Sequence, residues 1–331
     1  MMKWNKRRYC NMNTIEDFVR PTQAELFSKI PSEIKGKKAI VNGKYILVYG
    51  EAPVMLLAHL DTVHKEPVKT ICKSGDGNII MSPQGIGGDD RCGVYAIITA
   101  YRKSTVKPWL LFTCDEECGG KGADAFATDY INGHLPKKLD RIKFLVEIDR
   151  KGNKDAVYYD LDNPEFEAFI EQYGFETDYG SYSDICDVAP ALGVAAVNLS
   201  SGYYQAHTQH EYINRKELEH TTQKVIEIVA DSLKDDVPQF EYIEEVKYRY
   251  SKLGYRYYYD QCKLDIGITE EEDNEVPDDV PAKYALAYED LLYVYKKSEL
   301  EEVRQIYGNE VLVELYEDAY GPFDEAITEV S

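Results

Sequence analysis

The sequence predicts an α/β fold in which helices cover both faces of a central, mostly parallel mixed sheet, in three layers. Short, continuous apolar runs, typical of strands buried on both faces, alternate along the chain with helical segments. Acidic or imidazole side chains follow several of these runs directly, and sites in such sheets form beyond the carboxyl ends of the strands. An acidic, mainly helical C-terminal extension is predicted to follow this domain.

Local signals place the elements of the first half of the chain. Thr14 and Thr22 are of the residue type that caps helices. The dipeptide Asn42-Gly43 is the strongest short signal for a hairpin. In order, the predicted elements are one or two helices over 14–31, a hairpin turning at Asn42-Gly43, a buried strand over Val54–Ala58, a second hairpin around Gly75–Gly77, and a helix over Gly93–Tyr101.

The second half repeats the alternation of buried strand and helix. Asn163, followed by Pro164, is typical of a helix start, and Gly174 is typical of a helix end. In order, the predicted elements are a strand over Pro108–Cys114, a helix after it, a strand over Ile142–Asp149, the helix capped by Asn163, a fourth strand from Val194, and a helix from Asn214 to about Leu233. Asp184, between two of these elements, is interpreted equally as a helix cap or as a residue near a cleft.

The charge of the chain is distributed unevenly. The net charge of −21 argues against nucleic acid as a partner. From residue 235 onwards there are 26 acidic and 9 basic residues, together with half of the 28 tyrosines. This shift predicts a catalytic domain over 1–235 and an acidic, tyrosine-rich extension over 236–331. Within the extension, a charged stretch over Thr269–Asp279 precedes two predicted helices, Ala282–Lys297 and one running from a Ser298/Glu301 capping box to about Tyr320.

The sequence favours a cytoplasmic protein. It contains no apolar run of eighteen or more residues, so no membrane partner is expected. The basic N-terminus lacks the apolar core of a secretory signal. Seven scattered cysteines, an odd number, do not resemble a disulfide framework.

Five positions or pairs have side chains suited to catalysis: His59 with Asp61, Asp89-Asp90, Glu116-Glu117, Asp149 and His207. Taken singly, each has an ordinary structural interpretation, such as a helix cap or a solvated charge. Taken together, they lie next to elements too apolar to be surface structure. Converging carboxylates repel one another unless a cation offsets them. A ligand set of imidazole nitrogens and carboxylate oxygens favours zinc as the bound metal, followed by cobalt or manganese. A carboxylate that bridges fits two ions about 3.5–4 Å apart.

Five motifs carry a resemblance to a known family. They are HLDTV (59–63), GGDDRCG (87–93), DEECGGKGA (115–123), the aspartate of VEIDR (Asp149) and GYYQAHTQHEYI (202–213). Their order resembles that in the co-catalytic zinc exopeptidases, the clan of tripeptidase T, bacterial leucyl aminopeptidase, the tetrahedral aminopeptidases and the glutamate carboxypeptidases. The resemblance covers roughly residues 40–234 and implies the three-layer fold of that clan.

The resemblance implies a role for each candidate residue. Two zinc ions per chain would have the ligands His59, Asp89 and Asp149 for one, and Asp89, Glu117 and His207 for the other. Asp61 would accept the second imidazole N–H of His59, and Asp90 would follow a cis peptide bond without touching metal. Glu116 would be the general base that moves a proton from the metal-activated bridging water to the leaving amine. Tyr203 or Tyr204 would donate to the developing oxyanion. His210 and Glu211 receive no role.

The chain departs from its relatives in what it lacks. Two-domain members of the clan insert a lid of about a hundred residues before the last histidine, whereas here 57 residues separate Asp149 from His207. The tetrahedral aminopeptidases insert a β domain before the bridging aspartate, whereas here His59 and Asp89 are 30 positions apart. The sequence therefore resembles a bare catalytic domain, without the lid residue that binds a substrate carboxylate.

The predicted function is that of a di-zinc aminopeptidase acting on short peptides. One alternative is a related metal-dependent hydrolase, such as a deacylase of N-acyl amino acids. The other is a non-catalytic binding protein on a peptidase fold, with the acidic extension as its interaction surface; the intact set of ligands and base argues against it. Specificity, native metal and oligomeric state do not follow from the sequence.

Overall fold

The structure, a computed structural model, describes residues 12–34, 38–244 and parts of 277–320. The chain divides into two units, residues 1–246 and 247–331, and each is described by itself. No helix within the described ranges is long and apolar enough to cross a membrane.

The first unit combines helices with a large and a small sheet. Its described helices are α1 (Ile15–Val19), α2 (Gln23–Glu33), α3 (Gly88–Lys103), α4 (Lys121–Ile131), α5 (Pro164–Glu171), α6 (Ile185–Leu192) and α7 (Arg215–Asp231), with a 3₁₀ turn at Lys137–Arg141. Its described strands are β1 (Ala39–Val41), β2 (Tyr45–Val48), β3 (Val54–His59), β4 (Cys72–Lys73), β5 (Ile79–Met81), β6 (Trp109–Thr113), β7 (Phe144–Arg150), β8 (Asp155–Val157), β9 (Glu176–Asp178), β10 (Ala196–Ser200), β11 (Tyr203–Tyr204) and β12 (Tyr212–Asn214).

The large sheet is mixed, and its centre is parallel. Among the described residues its strand order is β1-β2-β6-β3-β7-β10-β8-β9. The four central strands, β6, β3, β7 and β10, pair in parallel, whereas β2 and β8 join them antiparallel. These four are the apolar runs that the sequence marked as buried strands. The prediction of an α/β fold with a mostly parallel mixed sheet is confirmed.

Alternate side chains of the central strands enter two separate cores, which makes the structure three-layered. On β3, Val54, Leu56 and Ala58 pack in one core together with residues of α1, α2, α3, α5 and α7. Met55 and Leu57 point to the opposite face and pack with residues of α4 and α6. Successive strand residues point to opposite faces of a sheet, so a fully apolar run is needed where both faces are covered.

The small sheet joins two distant parts of the sequence. It has the order β11-β12-β5-β4, so the predicted hairpin β4–β5 pairs with the segment that flanks His207. Helix α6 begins directly after Asp184, the residue that the sequence offered as a helix cap, although the side chain of Asp184 makes no capping hydrogen bond. Between Asp149 and His207 the chain also forms β8 and β9, which were not predicted. These two strands have three residues each, too short to give a periodic signal.

The chain continues to pack on the first unit beyond the predicted boundary at 235/236. Phe240 is buried, and its ring centroid lies 5.1 Å from that of Phe166 and 6.0 Å from that of Phe144. Its backbone N–H donates to Lys143 and its carbonyl accepts from Ala195. The first unit therefore extends past residue 235, and Val237 and Phe240 belong to its core.

The second unit contains two described helices, α8 (Ala282–Leu291) and α9 (Val311–Tyr320). Their apolar residues, with Leu300, form a cluster that includes Tyr288, Leu291 and Leu312. Ser298 of the predicted capping box and most of the charged stretch over 269–279 lie outside the described residues.

Replacing Phe240 by alanine should lower the free energy of unfolding by about 3–5 kcal/mol, because the substitution leaves a cavity among aromatic rings. Urea unfolding followed by circular dichroism measures this. Ile243→Ala is the matched control, since Ile243 is 46% exposed, and it should change stability by less than about 0.5 kcal/mol. Equal effects of the two substitutions would contradict the packing of this segment.

Candidate metal centre

The candidate residues meet at the carboxyl edge of the central parallel strands. His59 is the last residue of β3, and Asp149 is the last but one of β7. Glu116 and Glu117 follow β6, and His207 lies between β11 and β12. Asp89 belongs to the first turn of α3, which begins after Gly87 in a left-handed conformation (φ 65°) that glycine adopts without strain. Parallel strands end at the same edge, which brings these segments together.

Asp89 lies between two imidazoles, with one carboxylate oxygen facing each. Its Oδ1 is 3.2 Å from Nε2 of His59, and its Oδ2 is 3.2 Å from Nε2 of His207. Asp149 Oδ1 lies 3.6 Å from the same nitrogen of His59, and Glu117 Oε2 lies 3.2 Å from the same nitrogen of His207. The arrangement gives two sets of donors that share Asp89.

Glu116 lies beside its neighbour Glu117 but faces the first set of donors. Its Oε2 is 3.9 Å from Nε2 of His59, and its side chain is 14% exposed. The loop that carries it turns at Asp115, which has φ of 59°, and His207 has φ of 62°. Non-glycine residues adopt this left-handed conformation where surrounding contacts hold them, often at functional sites.

Asp61 supports both His59 and the glutamate pair. Its Oδ1 lies 3.3 Å from Nδ1 of His59. It also accepts hydrogen bonds of 3.1 Å from the backbone N–H groups of Glu116 and Glu117, which the sequence analysis did not anticipate. One carboxylate thus fixes both the imidazole and the backbone of the glutamates.

Asp90 has a different environment from Asp89. The peptide bond between them is cis, as the resemblance implied. Asp90 lies within reach of His59 and Asp149, and the three could form a metal-binding group by distance alone. Its two oxygens, however, accept from the backbone N–H of His59 and of Gly93 at 3.2 and 2.9 Å. Asp90 is therefore engaged in holding the backbone.

Of Tyr203, Tyr204 and His210, Tyr203 contacts a candidate ligand, whereas the other two bond elsewhere. The buried hydroxyl of Tyr203 is 3.4 Å from the carbonyl oxygen of Asp149. The hydroxyl of Tyr204 donates to Glu217 at 2.7 Å, and its ring stacks on Tyr212. His210 is exposed, with its backbone N–H bonded to Thr208.

Solved structures with the same fold are peptidases. Aminopeptidase PepT from Bacillus cereus matches with a TM-score of 0.51 at 15% identity, over 70% of this chain and 99% of that one. A tripeptidase from Staphylococcus aureus matches with a TM-score of 0.50 at 15% identity, over 69% and 98%. A TET aminopeptidase from a marine-sediment thaumarchaeon matches with a TM-score of 0.50 at 12% identity, over 66% and 95%.

The chain has the fold of these exopeptidases. At such low identity the likeness concerns the fold, and the resemblance in fold predicted from the five motifs is confirmed. No protein-family model matches the sequence, and no curated protein matches it.

The close packing of imidazoles and carboxylates shifts the pKa values of the site. Hydrogen bonds to Asp89 and Glu117 raise the pKa of His207 to about 10. Burial would raise the pKa of Asp89, but hydrogen bonds from His207 and His59 lower it overall. A divalent cation bound by the same nitrogens would offset the charge of these carboxylates.

The donors fit divalent metal ions. The described residues contain three groups of His and carboxylate side chains that could bind a metal ion, and within each group the ligand atoms lie within 4.8 Å of one another. Each group contains His59 or Asp89. Glu117 has a buried oxygen, Oε1, without a hydrogen-bond partner. Such mixed nitrogen and oxygen sets, with no cysteine among the atoms, are typical of zinc, cobalt or manganese sites.

A second group of buried polar residues lies beneath the site, and the sequence analysis missed most of it. Asn198 on β10 accepts from the N–H of Asp149 and donates to its carbonyl. Glu147 and Asp184 are wholly buried, bonded to Ser183 and Thr113 respectively. Burial, with the charge of Asp149, raises the pKa of Glu147 to about 8. The only sequence signal was a polar residue within an apolar strand, as at Asn198 and Glu147.

Asp184→Asn should become progressively more stable than the wild type as the pH rises above about 4. Burial, then Glu147, raises the pKa of Asp184 well above its ordinary 3.8, so the folded state keeps a proton that the unfolded state loses. The stability of the wild type therefore falls with rising pH, by at most about 1.4 kcal/mol per pH unit from this group. Asparagine has no proton to lose.

Urea unfolding between pH 4 and 8, with a chelator present, measures this difference. The exposed Asp124 provides the control substitution Asp124→Asn, which should run parallel to the wild type. A wild type and Asp184→Asn that stay parallel across the range would contradict the buried, protonated state of Asp184.

Proposed function

We propose that the chain is a di-metal aminopeptidase that acts on short peptides, with Glu116 as its general base. The observation that carries the proposal is Asp89, whose two oxygens face two imidazoles. Asp149 adds a carboxylate on the side of His59, and Glu117 adds one on the side of His207. Two ions sharing a carboxylate are suited to hydrolysis of amide bonds.

The ligands act as a pair of half-sites. His59, Asp149 and one oxygen of Asp89 would hold one ion; His207, Glu117 and the other oxygen would hold the second. Zinc is the first choice for these donors, with cobalt or manganese as alternatives. When bound, the ions polarise the scissile carbonyl and lower the pKa of water in the cleft. The sharing of Asp89 couples the two half-sites geometrically.

Glu116 is placed to handle the proton. Its carboxylate lies on the side of His59, outside the pairs that Asp89 forms with the imidazoles. Burial raises its pKa, which brings its proton affinity closer to that needed near neutral pH. Asp61 holds the N–H groups of Glu116 and Glu117, so the two carboxylates keep separate directions. Glu116 would accept the proton of the attacking water and pass it to the leaving amine.

Of the two tyrosines, Tyr203 is the better candidate for stabilising the oxyanion. Its hydroxyl lies next to Asp149, 3.5 Å from Oδ1, whereas the hydroxyl of Tyr204 is bonded to Glu217. A phenol at the edge of the ligand set can donate to charge that develops on the carbonyl oxygen.

The fold relatives support an exopeptidase that acts on short peptides, since their names are aminopeptidase and tripeptidase. The segment between Asp149 and His207 is used for β8, α5, β9, α6 and β10, all of which pack on the central sheet or its cores. It therefore supplies no lid with a carboxylate-binding residue, which favours an aminopeptidase over a carboxypeptidase. The free cysteines among the described residues suit a cytoplasmic location.

Glu116→Gln should retain the metal content of the wild type and lose hydrolysis by at least about 10²-fold in kcat, because the amide cannot accept a proton. Metal analysis and turnover of amino-acid anilides measure the two effects. Glu66→Gln, at a side chain 64% exposed, is the control and should keep full activity. A Glu116→Gln enzyme with wild-type kcat would rule out Glu116 as the base. A wild type that cleaves N-acyl amino acids instead of anilides would contradict the assignment of peptides as its substrates.

Asp89→Asn should bind fewer than one ion per chain where the wild type binds two, because both half-sites lose the charged oxygen of Asp89 that they share. Chelation should lower the melting temperature of the wild type but leave that of the variant nearly unchanged. Asp76→Asn, at a solvent-exposed hairpin turn, provides the control. Two ions bound to Asp89→Asn with wild-type affinity would contradict the shared carboxylate.

A further inference from the structure

Glu211 is a wholly buried carboxylate close to the metal centre, with both oxygens in use. It lies four residues after His207, in the connection between β11 and β12. Its Oε1 accepts from the backbone N–H of Asp89 at 2.9 Å. Its Oε2 accepts from the backbone N–H of Gly87, also at 2.9 Å. Glu211 therefore binds the loop that presents Asp89 and offers no oxygen to a metal ion.

His64 completes the environment of Glu211. Its Nε2 lies 2.6 Å from Oε2 of Glu211. The imidazole is held on its other side by Gly85, where a Cβ atom would lie 2.2 Å from the ring. Only glycine leaves room for the ring at this position. His64 belongs to the loop after β3, five residues beyond His59.

The pair joins three segments that each carry a proposed ligand. Glu211 belongs to the connection of His207, His64 to the loop after His59, and the two N–H groups to the loop of Asp89. The loop of Asp89 packs closely against the connection that carries Glu211. A Cβ atom at Gly88 would lie 2.6 Å from Cβ of Tyr203 and 3.2 Å from Oε1 of Glu211. The connection thus contacts Asp89 twice: His207 contacts the carboxylate of Asp89, and Glu211 accepts from the backbone N–H of Asp89.

We infer that Glu211, clamped by His64, is a positioning residue that sets the backbone of residues 87–89 so that Asp89 can face both imidazoles. This rests on the proposed role of Asp89 as the shared ligand. Three donors point at Glu211, and a carboxylate can accept all of them. Glutamine offers a single acceptor oxygen and turns an NH₂ group towards the remaining N–H groups. A buried N–H without a partner is costly, so the loop of Asp89 must shift in such a variant.

The test uses Co²⁺ binding to the full chain as its main measurement, because Co²⁺ absorption reports ligand geometry without requiring catalysis. Glu211→Gln should fold cooperatively in chelator, bind Co²⁺ about 10–100-fold more weakly, and show an altered absorption spectrum. With peptide substrate, kcat should fall by a similar factor with little change in KM. Glu219→Gln is the control, since Glu219 is exposed and accepts a hydrogen bond from Tyr95, away from the loop of Asp89; it should behave as the wild type.

A matched pair at His64 separates the clamp from bulk stability. In His64→Gln the amide nitrogen reaches the position of Nε2 and still donates to Glu211, whereas in His64→Asn it ends nearer Nδ1 and cannot. His64→Asn should weaken Co²⁺ binding, and His64→Gln should restore it. The two His64 variants leave both backbone hydrogen bonds to Glu211 intact. They therefore test the positioning role even if Glu211→Gln does not fold.

Wild-type Co²⁺ affinity and spectrum in Glu211→Gln would overturn the inference, as would equal affinities in His64→Asn and His64→Gln. A loss confined to melting temperature in chelator would also overturn it, because it would show a structural role only. Failure of the proposed function is distinguishable: a wild type that binds two Co²⁺ ions but cleaves no peptide leaves the positioning role intact. A wild type that binds no Co²⁺ contradicts both.

Discussion

The structure depends on one electrostatic constraint: several carboxylates share a small volume at the carboxyl edge of the sheet. Asp89, Glu117 and Asp149 lie around two imidazoles, and their side chains are at most 12% exposed. In water such charges would be screened, but at this burial they repel unless a cation lies among them. Burial raises the pKa of Glu116, and hydrogen bonds to Asp89 and Glu117 raise that of His207. The fold thus gathers these charges where bound cations would relieve their repulsion.

A second set of carboxylates holds the first set in place. Asp61 accepts from the N–H groups of Glu116 and Glu117, Asp90 from those of His59 and Gly93, and Glu211 from those of Gly87 and Asp89. In each case a side chain from one segment fixes the backbone of a segment that carries a ligand or the proposed base. Charged acceptors make stronger hydrogen bonds than neutral ones, which suits a site whose geometry must resist repulsion.

The sequence allowed the central architecture to be predicted and the candidate metal-binding residues to be singled out, because both leave local signals. The run Val54–Ala58 is apolar throughout since both faces of β3 are covered, and its end marks where His59 must lie. The supporting contacts leave no such signal. His64 and Glu211 are 147 positions apart, and their pairing exists only through the small sheet that joins β5 to β12. Phe240 was assigned to the extension because composition changes near residue 235, whereas packing continues past it.

The central claim is that Asp89 bridges two ions, and diffraction at the zinc absorption edge tests it most directly. Crystals of the wild-type protein grown with zinc should show two anomalous peaks about 3.5–4 Å apart, one beside His59 and Asp149 and the other beside Glu117 and His207, with one oxygen of Asp89 on each. A single peak, or two peaks of which only one contacts Asp89, would contradict the account.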